Sequence, residues 1–306
     1  MTFLIEVNNV SKSFDSFLAV DNVSFSLAKG EVLGFLGPNG AGKTTTMRIL
    51  TGFLKPSLGS IKINGLNLFT NLKQSREFIG YVPEGSPLYN EMTTIDFLSF
   101  ICEIRGINID QNLSKVISLL NLNDVLLQKI DTLSKGFKRR VGLAQALIHD
   151  PKILILDEPT DGLDPNQKHE VRKLIKKLGK EKAIIISTHI LEEVKAICNR
   201  TMILSNGKLL IDDAPSNVLK KSSNYNNLLI SIHEKTASDF RKEIMTINKF
   251  KNVDLLGNVC SIKLKNSSDS NSISEYINKK KYTIKHFSIN KGNLEEVFRE
   301  LTYKND

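Results

Sequence analysis

The stretch Gly37-Pro38-Asn39-Gly40-Ala41-Gly42-Lys43-Thr44-Thr45 decides the reading of this chain. It matches the phosphate-binding pattern G-x-x-x-x-G-K-[ST], with Gly37, Gly42, Lys43 and Thr44 at the fixed positions. Upstream, Val32-Leu33-Gly34-Phe35-Leu36 is a short apolar run that predicts a buried parallel strand. Downstream, Thr45 to Leu50 predicts a helix that stops near Gly52, with Pro56 beyond. Strand, glycine loop and helix form the setting in which backbone N–H groups converge on phosphate oxygens. The helix N-terminus adds partial positive charge, and Lys43 adds a full one. Thr44 stands where its hydroxyl can serve Mg²⁺. Together these features imply a loop for a nucleoside triphosphate.

The rest of the composition sets bounds. A length of 306 residues predicts about two domains, and 41% hydrophobic content is enough to build their cores. No run of 18 apolar residues occurs, so no membrane-spanning helix is expected. The start, Met1 to Glu6, lacks a basic region and does not read as a signal peptide. Cys102, Cys198 and Cys260 have no paired spacing, which argues against a disulfide framework or a zinc site and for a reducing cytosol. The net charge of +9 fits solvated lysines on helix faces, or attraction to an anionic membrane leaflet or nucleic acid.

Residues 1–30 alternate apolar and polar, as in Val23-Ser-Phe-Ser-Leu27, and predict antiparallel strands with Phe14 and Phe17 between them. Gly59 to Gly65 predicts another strand, closed by an Asn-Gly turn. Between about 88 and 150 the period becomes helical. Thr93 or Thr94 can cap a first helix, Leu113, Val116, Ile117 and Leu120 stripe a second, and a third follows Ser134. Lys152–Leu156 and Ala183–Ser187 are apolar strands around a basic amphipathic helix, Gln167–Gly179, which predicts a parallel βαβ unit. A hairpin about Asn206-Gly207 follows, and then a polar linker at 220–227. Beyond it, a strand (228–233), a helix (238–247), a two-strand turn at Gly257, a helix (273–278), a strand (282–289) and a helix (294–301) predict a small α+β domain of split βαβ type.

Asp157-Glu158 closes an apolar strand. An acid at the C-terminal end of a parallel strand near a phosphate loop is where a Mg²⁺-binding Asp belongs. A second carboxylate directly after it can hold and deprotonate an attacking water.

Leu133-Ser134-Lys135-Gly136-Phe137, Lys138-Arg-Arg-Val-Gly-Leu-Ala-Gln145 and Ile155-Leu-Asp157-Glu158-Pro159-Thr-Asp-Gly162-Leu163-Asp164 resemble the ATP-binding cassette subunits of ABC transporters. The motif order agrees from residue 1 to about 220. The tail, Leu294 to Leu301, is similar to that of cassettes serving ABC-2-type exporters, and the closest likeness is to gliding-motility-associated cassettes. The resemblance implies an α/β P-loop fold: a mixed sheet core with an antiparallel β subdomain and an inserted helical subdomain at about 88–150. The cassette would occupy 1–221 and a small α+β accessory domain 226–306. It implies an ATPase using ATP and Mg²⁺, held through Thr44, Asp157 and Glu84. Glu158 would activate water, His189 would act as the switch histidine, and Lys43 and the loop from Gly37 to Thr45 would hold phosphates. Phe14 would stack on adenine, for ~1–3 kcal/mol. Ser134 and Gly136 would reach the nucleotide of the other subunit in a head-to-tail homodimer or heterodimer, with Asp164 at the dimer contact. An integral membrane permease is the implied partner, on the cytoplasmic face of the cell membrane, and no nucleic acid is expected. The alternative is a soluble ATPase of the same type acting on nucleic acid or ribosomes. Lys135 and Phe137 replace the usual glycine and glutamine of the signature, and Glu84 stands where glutamine is usual.

Overall fold

The computed structural model describes residues 2–85, 87–246, 252–264, 266 and 268–302. The chain divides into two compact units, with the division between Pro215 and Ser216. The first unit opens with β1 (Phe3–Phe14) and β2 (Phe17–Ala28), paired antiparallel about a turn at Asp15-Ser16. Next come β3 (Val32–Leu36), α1 (Lys43–Leu50), β4 (Leu58–Ile63), β5 (Leu66–Asn67), α2 (Leu72–Glu77) and β6 (Ile79–Val82). The helical insertion is α3 (Thr94–Arg105), α4 (Ile109–Leu120) and α5 (Lys135–Leu147). The alternating segment β7 (Ile153–Asp157), α6 (Pro165–Leu178), β8 (Ala183–Thr188), α7 (Leu191–Ile197) and β9 (Arg200–Ser205) leads to β10 (Lys208–Asp213).

One sheet has the order β2-β1-β4-β5 and is antiparallel; the other has the order β10-β9-β3-β8-β7-β6. In the second sheet every neighbouring pair is parallel except the β9–β10 hairpin. β3, β7 and β8 are buried at every residue, which explains why they are apolar on both faces up to the polar C-terminal ends of β7 and β8, Asp157 and Ser187-Thr188. Two cores flank this sheet. Phe25, Phe35, Met47, Ile155 and Leu204 pack on the side of α1, and Phe97, Leu98, Val141, Leu156 and Ile175 on the side of the helical insertion. At about 1.5–3 kcal/mol per buried large apolar side chain, these clusters outweigh any single cap or surface ion pair.

The parallel register positions the site. Leu36 lies opposite Thr188, Asp157 opposite Ser187, and Val82 opposite Leu156. The residues following these strand ends therefore share one edge of the sheet, the crevice side of an open parallel sheet.

Local chemistry moves several boundaries from their expected places. α1 begins at Lys43, two residues early, because the glycine loop delivers the chain straight into helical geometry. Thr93 caps α3, with its Oγ1 accepting from the Asp96 N–H at 3.2 Å, while Thr94 is buried.

The second unit begins with α8 (Pro215–Leu219) at the division and continues through β11 (Asn227–Ile232), α9 (Glu234–Thr246), β12 (Val253–Leu256), β13 (Val259–Lys263), α10 (Asp269–Lys280), β14 (Ile284–Ile289) and α11 (Leu294–Thr302). Its sheet order is β12-β13-β11-β14, antiparallel throughout, so the strands joined by α9 are separated by β13. That is the split βαβ arrangement. α10 starts four residues before the expected Ile273, since its polar first turn carries no apolar period to read. Ile247, the expected end of α9, lies outside the described residues. The polar stretch 220–227 falls inside this unit, where Ser222, Ser223 and Asn224 all donate to the Glu296 carboxylate.

Candidate active site

Gly42 is left-handed (φ 98°), and a Cβ there would meet the Ala19 carbonyl at 2.4 Å, so only glycine fits. The loop folds around Lys43, which is buried and donates from Nζ to the carbonyls of Gly37 (2.7 Å) and Pro38 (3.1 Å). Burial pulls the Lys43 ammonium below its ordinary value, and the charges of Glu158, Asp157 and Glu84 oppose that pull. Helix geometry leaves the N–H groups of Lys43, Thr44 and Thr45 without an intrahelical acceptor. These groups open into a cleft of 230 Å³ formed by residues 39–45, Phe17 and Ala19. The aromatic wall of this cleft is Phe17, which the sequence reading did not assign. Phe14, across the Asp15-Ser16 turn, is 45% exposed and has the Lys12 ammonium 5.1 Å from its ring centroid.

The ends of β7 and β8 supply the acids and the imidazole. Asp157 is 1% exposed. Its Oδ1 accepts from the Ser187 hydroxyl, and its buried Oδ2 has no hydrogen-bond partner among the described residues. An orphaned buried carboxylate oxygen beside a phosphate loop fits a hard divalent cation, with the hydroxyl of half-buried Thr44 as a second oxygen donor. Glu158 follows in the left-handed region (φ 46°). Its Oε1 lies 2.9 Å from Nδ1 of His189. An ionised carboxylate can only accept, so in that state Nδ1 of the half-exposed ring carries the proton and Nε2 lies outside the pair. Glu84 is exposed two residues past β6, and its charge reaches Lys43, Tyr81 and Arg139. Burial, with Asp157 nearby, pushes the Tyr81 hydroxyl up to about 12.

Four further contacts escaped the sequence reading. Ser187 orients Asp157. Buried Glu193, raised in pKa by burial, accepts from Thr188 Oγ1 at 2.9 Å and faces Arg172 at 3.7 Å, which braces the turn before His189. Arg139 donates from Nη2 to the Glu158 carbonyl at 2.6 Å. It was hidden in the run Lys138-Arg139-Arg140, yet Gly136, Arg139, Leu143 and Ala146 share one buried helical face, and a charge on that face is a signal.

The remaining expected residues lie on a neighbouring face. Ser134 caps α5, its exposed Oγ accepting from the Phe137 N–H at 3.3 Å, and Asp164 caps α6 through Asn166 and Gln167 at 2.9 and 3.0 Å. The two caps are neighbours: a Cβ on buried Gly136 would meet the Gln167 side chain at 2.5 Å. Ser134, Gly136 and Asp164 do not line the cleft over the loop.

Residues 20–161 match the family described as ABC transporter, and residues 216–302 match the ATP-binding protein DrrA1-3-like, C-terminal domain. The chain is 39% identical over 223 residues to the bacitracin transport ATP-binding protein BcrA of Bacillus licheniformis, covering 72% of each chain. It is 38% identical over 216 residues to the Nod factor export ATP-binding protein I of Paraburkholderia xenovorans, covering 69% of this chain and 71% of that one. Among solved structures it is similar to an ATP binding subunit of an ABC transporter, with a TM-score of 0.66 and 29% identity over 71% of this chain and 92% of that one.

Proposed function

This chain belongs to the ATP-binding subunits of ABC transporters, and from that premise we propose that it powers an exporter by MgATP-driven closure of a head-to-tail dimer. As a member of that family it binds and hydrolyses ATP, dimerises and works with a membrane permease. Among the described residues no helix is long and apolar enough to cross a membrane. The export direction draws on the DrrA-like second unit and on the Nod factor export relative. The cassette function is assigned to 1–221, an accessory role to 226–306, and the working place to the cytoplasmic face of the membrane. Exposed Phe53, with Arg76 stacked over its ring at 5.2 Å, borders a cleft of 270 Å³ with Tyr81 and Arg105 that suits a permease contact near Glu84.

One observation carries the chemistry: Lys43, Asp157 and the Glu158–His189 pair lie along one edge of a parallel sheet. Lys43 and the amides of residues 43–45 hold the phosphates, while Phe14 or Phe17 carries the base. Thr44, Asp157 and Glu84 are the proposed holders of Mg²⁺, which when bound neutralises phosphate charge. Glu158 accepts the proton of the attacking water, and His189 orients the carboxylate and presents Nε2. Ser134 and Gly136 serve the nucleotide of the partner subunit, with Asp164 beside them. Affinity purification of the tagged chain from detergent-solubilised membranes tests the reading. Recovery of a stoichiometric polytopic membrane protein that raises the ATPase rate is expected, whereas recovery of ribosomes or nucleic acid instead would refute transport.

A further inference from the structure

Arg139 lies on the same helix as the Ser134 cap, yet it faces inward and is 7% exposed. Its Nη2 bond to the Glu158 carbonyl, at 2.6 Å, is the shorter of two on that oxygen, since the Asp161 N–H also donates to it at 3.3 Å. The Glu158 N–H in turn donates to the Ser187 carbonyl at 3.0 Å. Together these bonds hold the Glu158 backbone. At φ 46° it occupies a region that a side chain enters only when its surroundings hold it there. The direction of the carboxylate follows from that backbone angle. If the peptide after Glu158 relaxes, the carboxylate swings away from Nδ1 of His189. Burial disfavours the guanidinium charge, while Asp161, Glu158, Asp157 and Glu84 favour it, so the cation is kept where its donor is needed.

We propose that Arg139 is a positioning residue for hydrolysis, clamping the Glu158 backbone so that its carboxylate stays aimed at the attacking water. The proposal rests on the reading of Glu158 as the base. It also gives α5 two duties in one subunit. Its N-terminal cap faces the partner's nucleotide, and its fifth residue holds the subunit's own base. Movement of α5 on dimer closure would therefore reach Glu158 through the Arg139 hydrogen bond.

The test uses the full chain and its Mg²⁺-dependent ATPase. Arg139→Met should lower kcat about 10²-fold, the scale of a roughly 1 Å misplacement of a catalytic group, with KM and fluorescent-nucleotide affinity unchanged. The same substitution placed on Glu158→Gln should cost nothing more, because a residue acting through Glu158 has nothing left to position. Where Arg139→Met does not fold, Arg139→Gln takes its place, since it lacks the guanidinium while keeping a smaller donor. Full turnover in the Arg139 variant while Glu158→Gln is inactive overturns the proposal alone. So does an equal fold-loss in both backgrounds, which marks a generally structural residue. Full turnover in Glu158→Gln overturns the base assignment and the proposal with it.

Discussion

Nδ1 of His189 and Oε1 of Glu158 stand 2.9 Å apart, joining the ends of two adjacent parallel strands. The pair ties the proposed base to the proposed switch residue in one contact.

Glu158→Gln should therefore retain ATP binding while turnover drops by ~10²–10⁴-fold, the usual loss on removing a general base. The variant should also accumulate as an ATP-bound dimer on a sizing column. Wild-type turnover would falsify the assignment.

Ser134 and Asp164 do not line the cleft over the phosphate loop, so the proposed head-to-tail dimer makes a specific demand. Mixing Lys43→Ala subunits with Ser134→Arg subunits leaves one of the two sites in the mixed dimer with both its own Lys43 and a partner serine. Purified mixed dimers should close one site around labelled ATP. Closure of neither site rules out composite sites.

Two phenylalanines flank the Asp15-Ser16 turn, and only Phe17 walls the cleft. Losing a base-stacking ring costs ~1–3 kcal/mol, or roughly five- to 150-fold in nucleotide affinity. Phe14→Ala and Phe17→Ala, titrated with a fluorescent ATP analogue, assign the platform. If neither loses affinity, stacking on this turn is wrong.

Glu84 should act through Mg²⁺. A carboxylate holds a hard cation better than an amide does, so Glu84→Gln should raise the Mg²⁺ concentration for half-maximal ATPase, and Glu84→Ala should raise it further. ATP binding through Lys43 should persist in both. Superimposable Mg²⁺ titrations would retire this role.

His149 gives the unit an acid sensitivity. Burial, chiefly, and the Arg105 charge lower its pKa from 6.5 to about 4, while Nε2–H donates to the Ile79 carbonyl at 3.0 Å. The folded state thus prefers the neutral ring. Its contribution is complete above pH 6.5 and is lost as pH falls from 6.5 towards 4, because the unfolded chain binds the proton first. After discounting for partial solvent access, the loss is of order 2 kcal/mol, or roughly 4–8 °C in Tm. His149→Gln, which keeps a donor and does not titrate, should flatten the wild-type drop between pH 7.5 and 5. Parallel curves for the two proteins would contradict it.

Local order in the chain determined much of this protein. Gly37 to Thr45 announces a strand-loop-helix because only glycine tolerates the left-handed angle and close carbonyl at position 42. The apolar runs 32–36, 153–156 and 183–186 announce buried parallel strands, since their side chains are apolar on both faces. These are short-range constraints, written where they act. Tertiary structure alone decided which side chains meet. The pairing of Asp157 with Ser187, and of Glu158 with both His189 and Arg139, joins residues 19 to 31 positions apart through sheet register and helix facing. The choice of Phe17 over Phe14 as the cleft wall turns on how the β1–β2 hairpin meets the loop, which no local pattern encodes. A hydrogen bond depends on a distance in space, and residues this far apart acquire one only after the strands have chosen their neighbours.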